Sequence, residues 1–234
     1  DGVTSITVHL EHDPAQDLVH IAVVDDAPEG FHDLSHAYRL FAPSYKKNCP
    51  TKAGRFNMGD KLFLAAALLT NQPVTISSTT GTVKFSRSEG RTHSPQKRRQ
   101  GSEVLGSLIA DREQFGAMLA GCRQLIVPEG VTLRVNNEVI PVRKPLHTFS
   151  VRLPTVQADG AGMLRAVKGG RETIVEVHRP LSGHPAMLYE LGMPVVETGD
   201  TWDINVLQKV PLNMNRDNVP PAYLRSVRTH VLNE

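Results

Sequence analysis

Residues 21–69 read IAVVDDAPEGFHDLSHAYRLFAPSYKKNCPTKAGRFNMGDKLFLAAALL. The stretch opens on a short β run, Ile21-Ala22-Val23-Val24, that ends in two carboxylates, Asp25 and Asp26. A turn follows, Ala27-Pro28-Glu29-Gly30, and then a polar loop bearing Lys46, Lys47 and Lys52. The loop closes in Gly54-Arg55-Phe56-Asn57-Met58-Gly59, and the apolar run that comes next predicts a buried helix over Asp60–Leu69. These are the parts of a purine nucleotide site. A carboxylate at a strand end accepts a hydrogen bond from an exocyclic amine such as that of adenine. Glycines ahead of a helix let the backbone approach phosphates, and the first N–H groups of the helix, with its positive dipole end, face them. A glycine pair before a helix is also a common cap, so the specificity lies in the order strand, Asp, turn Gly, long loop, Gly-x-x-x-x-Gly, helix.

Upstream, the alternation Ile6, Val8, Leu10 predicts a half-buried strand in Asp1–Leu10, joined through a turn at Asp13-Pro14 to a second strand, Leu18–Val24. Asp33–Phe41 repeats Leu34, Ala37, Tyr38 and Phe41 at helical spacing, and Ala42–Ala53, with Pro43 and Pro50, reads as a mobile flap. Downstream, Val74–Ser78 and Gly81–Arg87 read as a hairpin about Thr79-Thr80. A polar segment, Ser88–Gln100, carries Lys97-Arg98-Arg99, and Gly101–Leu108 reads as a strand. Asp111–Leu125 reads as a helix with Phe115, Met118, Leu119 and Cys122 on one face. Val131–Val135 and Val139–Val142 flank Asn136-Asn137, a hairpin turn because Asn accepts positive φ. The two prolines of Arg143–Pro154 mark a boundary between domains at 1–145 and 155–234. Beyond it come strands at Gly162–Val167 and Thr173–Val177 around Gly169-Gly170, a short helix at Ala186–Leu191, and strands at Pro194–Glu197 and Trp202–Val206. A helix over Pro220–Leu232, with Asn218 as its cap, closes the chain.

With 234 residues, 40% of them hydrophobic and 21% charged, the chain can bury a real core in one large domain or two small ones. A net charge of +2 does not by itself imply a polyanionic partner. Cys49 and Cys122 form no C-x-x-C pattern and read as free thiols of a reducing cytoplasm. No apolar run approaches the ~20 residues of a membrane span. His32 and His36, four apart, have zinc-ligand spacing but imply no third ligand, and read as surface histidines.

The order of motifs around Asp25 resembles the GHKL ATPases: the ATPase chain of gyrase, the heat-shock chaperone, histidine kinases and MutL. Asp25-Asp26-Ala27-Pro28-Glu29-Gly30 is similar to their Asp-x-Gly-x-Gly motif, with Ala27 for the first glycine and one residue more. Gly54–Gly59 is similar to their Gly-x-x-Gly-x-Gly loop, with Asn57 at the middle glycine, where Asn tolerates a left-handed backbone. Gly101-Ser102-Glu103-Val104 resembles their Gly-Thr-x-Val, whose hydroxyl sits beside the aspartate. The resemblance covers roughly residues 1–142 and continues more loosely to the end.

The resemblance implies an α+β chain: a GHKL-type (Bergerat) α/β sandwich with a mixed, mainly antiparallel sheet, followed by a smaller, transducer-like α+β domain. It implies ATP as ligand, held by Asp25 or Asp26, Gly30, Ser102, the loop Gly54, Arg55, Phe56, Asn57, Met58, Gly59, and a flap lysine such as Lys47. The flap is similar to the family's ATP lid, and binding is expected to couple to lid closure and to domain movement or homodimerisation. Asp203–Lys209 resembles the segment whose lysine reaches the γ-phosphate, which makes Lys209 the candidate catalytic side chain, with Arg216 second. In the family an Asn that holds Mg²⁺ and a general-base Glu lie on a helix before the first strand. Asp1-Gly2-Val3-Thr4 resembles the phrase after that helix, so the Mg²⁺ ligand is expected outside this chain, and little hydrolysis within it. A different reading is a non-catalytic module that binds nucleic acid or protein through the basic Lys97-Arg98-Arg99 loop and the second domain.

Overall fold

The structure is a computed structural model that describes residues 2–40, 42, 45–54, 59–159, 163–212 and 219–234, with Tyr45 and Lys47 described by their backbone alone. In chain order its α-helices are α1 (Tyr45–Asn48), α2 (Gly59–Leu68), α3 (Arg112–Gln124) and α4 (Pro221–Asn233). The chain forms two compact units, one from Asp1–Ala42, Asn57–Arg123 and Val127–Pro141, the other from Pro43–Phe56, Gln124–Ile126 and Val142–Glu234. Among the described residues no helix is long and apolar enough to cross a membrane.

The first unit is built on a sheet of β1 (Ser5–Asp13), β2 (Leu18–Asp25), β3 (Val74–Ser78), β4 (Gly81–Ser86), β5 (Gly90–Ser94), β6 (Glu103–Ile109), β7 (Thr132–Val135) and β8 (Glu138–Ile140). The strand order is β5-β4-β3-β6-β2-β1-β7-β8, antiparallel throughout except for β1 with β7. The period-2 pattern sets which face is buried. Val8 pairs with Val23 and Leu10 with Ile21, so these side chains share a face. On that face Leu10, Val19 and Ala110 pack with Phe115, Met118, Leu119 and Cys122, the predicted stripe of α3. Next to it Ala67 of α2 packs on Val74, Ile76, Val83 and Phe85. Asn136 turns the β7–β8 hairpin with φ 51°, and its Oδ1 accepts from the Leu10 N–H at 2.8 Å.

Three expectations for this unit need correction. Asp33–Phe41 is not one helix: a 3-10 turn at Leu34–Ala37 is all that forms there among the described residues. The His36 carbonyl, which a continuing helix would need, accepts instead from the Lys61 ammonium. The α2 helix is not buried all round. Leu62 in α2 and Leu69 just after it are 63% and 62% exposed, while Lys61 and Ala67 are buried, because one face of a helix packed on a sheet stays in water. The polar segment Ser88–Gln100 contains β5, every residue of which is exposed. An edge strand with no inward face carries no hydrophobic alternation in its sequence.

The second unit holds a sheet of order β14-β13-β15-β12-β9, made of β9 (His147–Leu153), β12 (Arg171–His178), β13 (Met187–Glu190), β14 (Met193–Glu197) and β15 (Asp203–Val206), beside a small ribbon of β10 (Val156–Ala158) and β11 (Leu164–Ala166). Phe149, Leu153, Val175, Val177, Leu188, Ile204 and Val206 meet Tyr223 and Val227 of α4 in its core. The predicted helix at Ala186–Leu191 is in fact β13, a strand between β14 and β15. Leu188 and Tyr189 point to opposite faces and are both buried, a pattern that a short apolar run cannot distinguish from a helix. Leu191 and Gly192, at φ 51° and 82°, then reverse the chain into β14. Strand β9 runs through the proline-bearing stretch 143–154. Strand β11 pairs with β10 and not with the strand after Gly169-Gly170.

Candidate functional site

Strand β2 ends on Asp25 and Asp26 follows it, and the partners of the two carboxylates differ. Asp26 Oδ1 accepts from the backbone N–H of Thr4 at 2.8 Å and of Ser5 at 3.0 Å, and its Oδ2 accepts from the Thr4 hydroxyl. The Thr4 hydroxyl and these amides hold its carboxyl below the usual range. Asp25 directs Oδ1 to the N–H of Ala27 at 2.9 Å and of Ser102 at 3.2 Å. Among the described residues its Oδ2 has no hydrogen-bond partner. Asp25 is therefore a half-buried, oriented carboxylate with one acceptor oxygen available, whereas Asp26 ties the start of β1 to the end of β2.

Two glycines make this turn possible. At Gly101, φ is 72° and an added Cβ would lie 1.8 Å from the Asp25 carbonyl oxygen. At Gly30, φ is 58° and an added Cβ would lie 2.3 Å from Ser78 Oγ. Backbone N–H groups of both Gly30 and Gly101 donate to the Ala27 carbonyl, at 3.0 and 2.9 Å. Ser102 is buried, and its hydroxyl lies 3.5 Å from that of Ser78. Ser78 Oγ accepts from the Phe31 N–H at 2.6 Å, Thr80 donates to the Phe31 carbonyl at 2.8 Å, and Thr79 donates to the Glu29 carbonyl. Sequence reasoning missed Ser78, Thr79 and Thr80 as parts of the site. They looked like hairpin-turn residues, and their only signal is the hydroxyl run Ser77-Ser78-Thr79-Thr80.

Asp25, Asp26, Gly30 and Ser102 are thus brought together in the first unit. Gly59 begins α2 in the same unit, with Asp60 in its first turn. The Asp60 carboxylate suits the helix dipole but would repel an anion. Its charge is met by Lys61, whose buried Nζ lies 2.8 Å away. Arg55, Phe56, Asn57 and Met58 lie outside the described residues, as do Arg216, Asn218 and the side chain of Lys47. Gly54, at φ 98°, and α1, which carries Lys47, belong to the second unit.

Lys209 also lies in the second unit and is fully buried. Its ammonium donates to the carbonyls of Cys49, at 2.9 Å, and Lys46. His32 and His36 do not share a helix; they face Glu29 at 3.1 Å and Asp33 at 3.5 Å. Among the described residues no group of three or more His, Cys, Asp and Glu side chains could hold a metal ion. Cys49 and Cys122 are free; the Thr51 hydroxyl lowers the pKa of the first thiol and burial raises that of the second.

No known protein family matches the sequence, and no curated protein matches it. Solved structures do match the fold. The ATPase region of Saccharomyces cerevisiae topoisomerase II aligns over 97% of this chain and 77% of its own, with a TM-score of 0.51 and 8% identity. The ATPase and transducer domains of DNA topoisomerase II from Balamuthia mandrillaris align over 97% and 76%, with a TM-score of 0.50 and 10% identity. The N-terminal domain of a DNA repair protein aligns over 96% and 85%, with a TM-score of 0.52 and 12% identity. At such identities the likeness is one of fold. The architecture is that of a GHKL-type α/β sandwich, with a mixed, mainly antiparallel sheet, followed by a smaller α+β unit.

Proposed function

We propose that the first unit binds adenine nucleotide at the end of β2 and that the second acts as a transducer-like domain, the domains running 1–145 and 155–234. The observation that carries this reading is Asp25, whose carboxylate is oriented by two backbone amides while its second oxygen has no hydrogen-bond partner among the described residues. Adenine's exocyclic amine complements that oxygen; guanine presents a carbonyl, which repels it. Gly30 and Gly101 bring the backbone close around the turn, and the N-terminus of α2 at Gly59 is the helix end assigned to phosphates, with the charge of Asp60 there met by Lys61 and one N–H, that of Lys61, already bonded to Asp60 at 3.1 Å. ATP in complex with Mg²⁺ is the ligand in this reading, and no residue of this chain is assigned to the ion. The fold shared with topoisomerase II ATPase regions supports it; in the same reading, binding is coupled to lid closure and to domain movement or homodimerisation. Titration calorimetry should find ATP and ADP binding in preference to GTP; equal binding, or none, sinks the reading.

A second reading rests on charge. Residues 81–100, which include β4 and β5, carry six Lys and Arg against one Glu, out of 26 and 24 in the chain, so the remainder is net negative, 20 against 23. Lys84, Arg87, Arg91, Lys97 and Arg99 are exposed along this edge, a pattern that suits a nucleic-acid client. Fluorescence anisotropy with a labelled DNA duplex tests it, and an acidic protein as competitor tests the protein-client form of the same reading.

A further inference from the structure

We propose that Lys209 is a positioning residue that latches the flap through backbone carbonyls. Helix α1 has four residues, a single turn whose last carbonyls have no partners within the helix. Such a turn does not hold itself together in water. Lys209 adds donors there, beside the Lys52 N–H that reaches the Cys49 carbonyl at 3.3 Å. The Nζ donates to the Lys46 carbonyl inside the turn and to the Cys49 carbonyl just after it. A cation at a helix C-terminus also complements the dipole there. The backbone of the same residue extends the grip, since the Lys209 N–H donates to the Pro50 carbonyl at 2.7 Å. Lys209 is held in turn by Thr155, whose hydroxyl donates to the Lys209 carbonyl at 2.7 Å, both residues being fully buried.

Three flap carbonyls, of Lys46, Cys49 and Pro50, therefore converge on one residue that follows β15 by three positions. This explains why a polar, proline-bearing segment with few apolar side chains clusters with Val142–Glu234. A buried ammonium is tolerated only when its donors are met, so the lysine and the flap require each other. None of these contacts depends on nucleotide binding, and a failure of the latch would leave the reading of Asp25 untouched.

Hydrogen exchange on the whole chain tests it, comparing wild type with Lys209→Met, Lys209→Arg and Thr155→Val. The expected result for Lys209→Met is at least a tenfold rise in exchange at 45–54, with β12 and β15 unchanged. Lys209→Arg, which retains a cation with several donors, should restore protection to within about threefold. Thr155→Val should give a smaller rise in the same segment. The proposal is overturned if Lys209→Met leaves 45–54 unchanged, or raises it by the same factor as β12 and β15. If the Met variant fails to fold, unchanged flap exchange in Thr155→Val overturns it and a selective rise there supports it.

Discussion

Asp25 and Asp26 leave β2 one after the other and meet different partners, so the same substitution should do different things at each. Asp25→Asn removes a charge-assisted acceptor worth ~1.5–3 kcal/mol, and ADP binding should weaken roughly ten- to a hundredfold by calorimetry. Asp26→Asn should leave ADP affinity nearly unchanged and loosen the start of β1, seen as faster exchange at Thr4 and Ser5. The reverse outcome would move the nucleotide contact to Asp26. The depressed pKa of Asp26 also fixes a pH signature. A carboxylate whose folded pKa is lowered contributes its full stability above the ordinary carboxylate range. It loses that contribution as pH falls through the range toward the depressed value. Asp26→Asn should therefore flatten the acid limb of stability against pH, and an unaltered limb would count against the Thr4 anchor. At Gly101 the argument is steric. Gly101→Ala meets both a positive φ and the Asp25 carbonyl, and should cost more than about 3 kcal/mol in urea unfolding. Gly90→Ala, at φ 71° with nothing within 4 Å, isolates the backbone strain and should cost about 1–2 kcal/mol.

At the scale of elements, β13 is the place where pattern and structure part. Its Leu188 is fully buried in the core under α4, while Ile174 of β12 is 46% exposed on the opposite face. Leu188→Ala should cost about 2–5 kcal/mol, since the removed methyls leave a cavity among Val177, Ile204 and Val206. Ile174→Ala should stay within about 1 kcal/mol. Comparable losses in denaturant unfolding would mean that the strand assignment, and the facing it sets, is wrong. The flap shows a related divergence. Its composition predicts mobility, because few apolar side chains oppose opening, yet its carbonyls engage a buried lysine that no local pattern announces.

At the scale of the whole molecule, charge is distributed unevenly over the chain. If the β4–β5 edge meets a nucleic-acid backbone, affinity should fall steeply with salt. With about three phosphates contacted, log K should fall against log salt with a slope of about −3. Reversing Lys97 and Arg99 to Glu should cost at least tenfold in affinity at low salt and reduce that slope. Neither residue packs into a core, so the fold should survive, as circular dichroism would verify. A flat salt response, or unaltered binding by the reversed variant, would remove this edge as the nucleic-acid surface.

Elements whose signal is local could be read from the residues alone. The β1–β2 and β3–β4 hairpins, the apolar stripe of α3 and the Asn136 turn were legible because side-chain period and turn chemistry are written within a few residues. So was the cluster of Asp25, Gly30 and Ser102, as residue types in the right order. The other features depend on how the folded chain brings distant segments together. The fold alone separated Asp25 from Asp26, because the difference lies in Thr4 and Ser5, more than twenty residues away in the chain. It alone recruited Ser78, Thr79 and Thr80 to the turn at Gly30, made β5 an edge and β13 a strand, and buried Lys209 beneath the flap. In each case the deciding partner is distant in sequence. A hydrogen bond or a packed face between remote segments leaves no periodicity in either one.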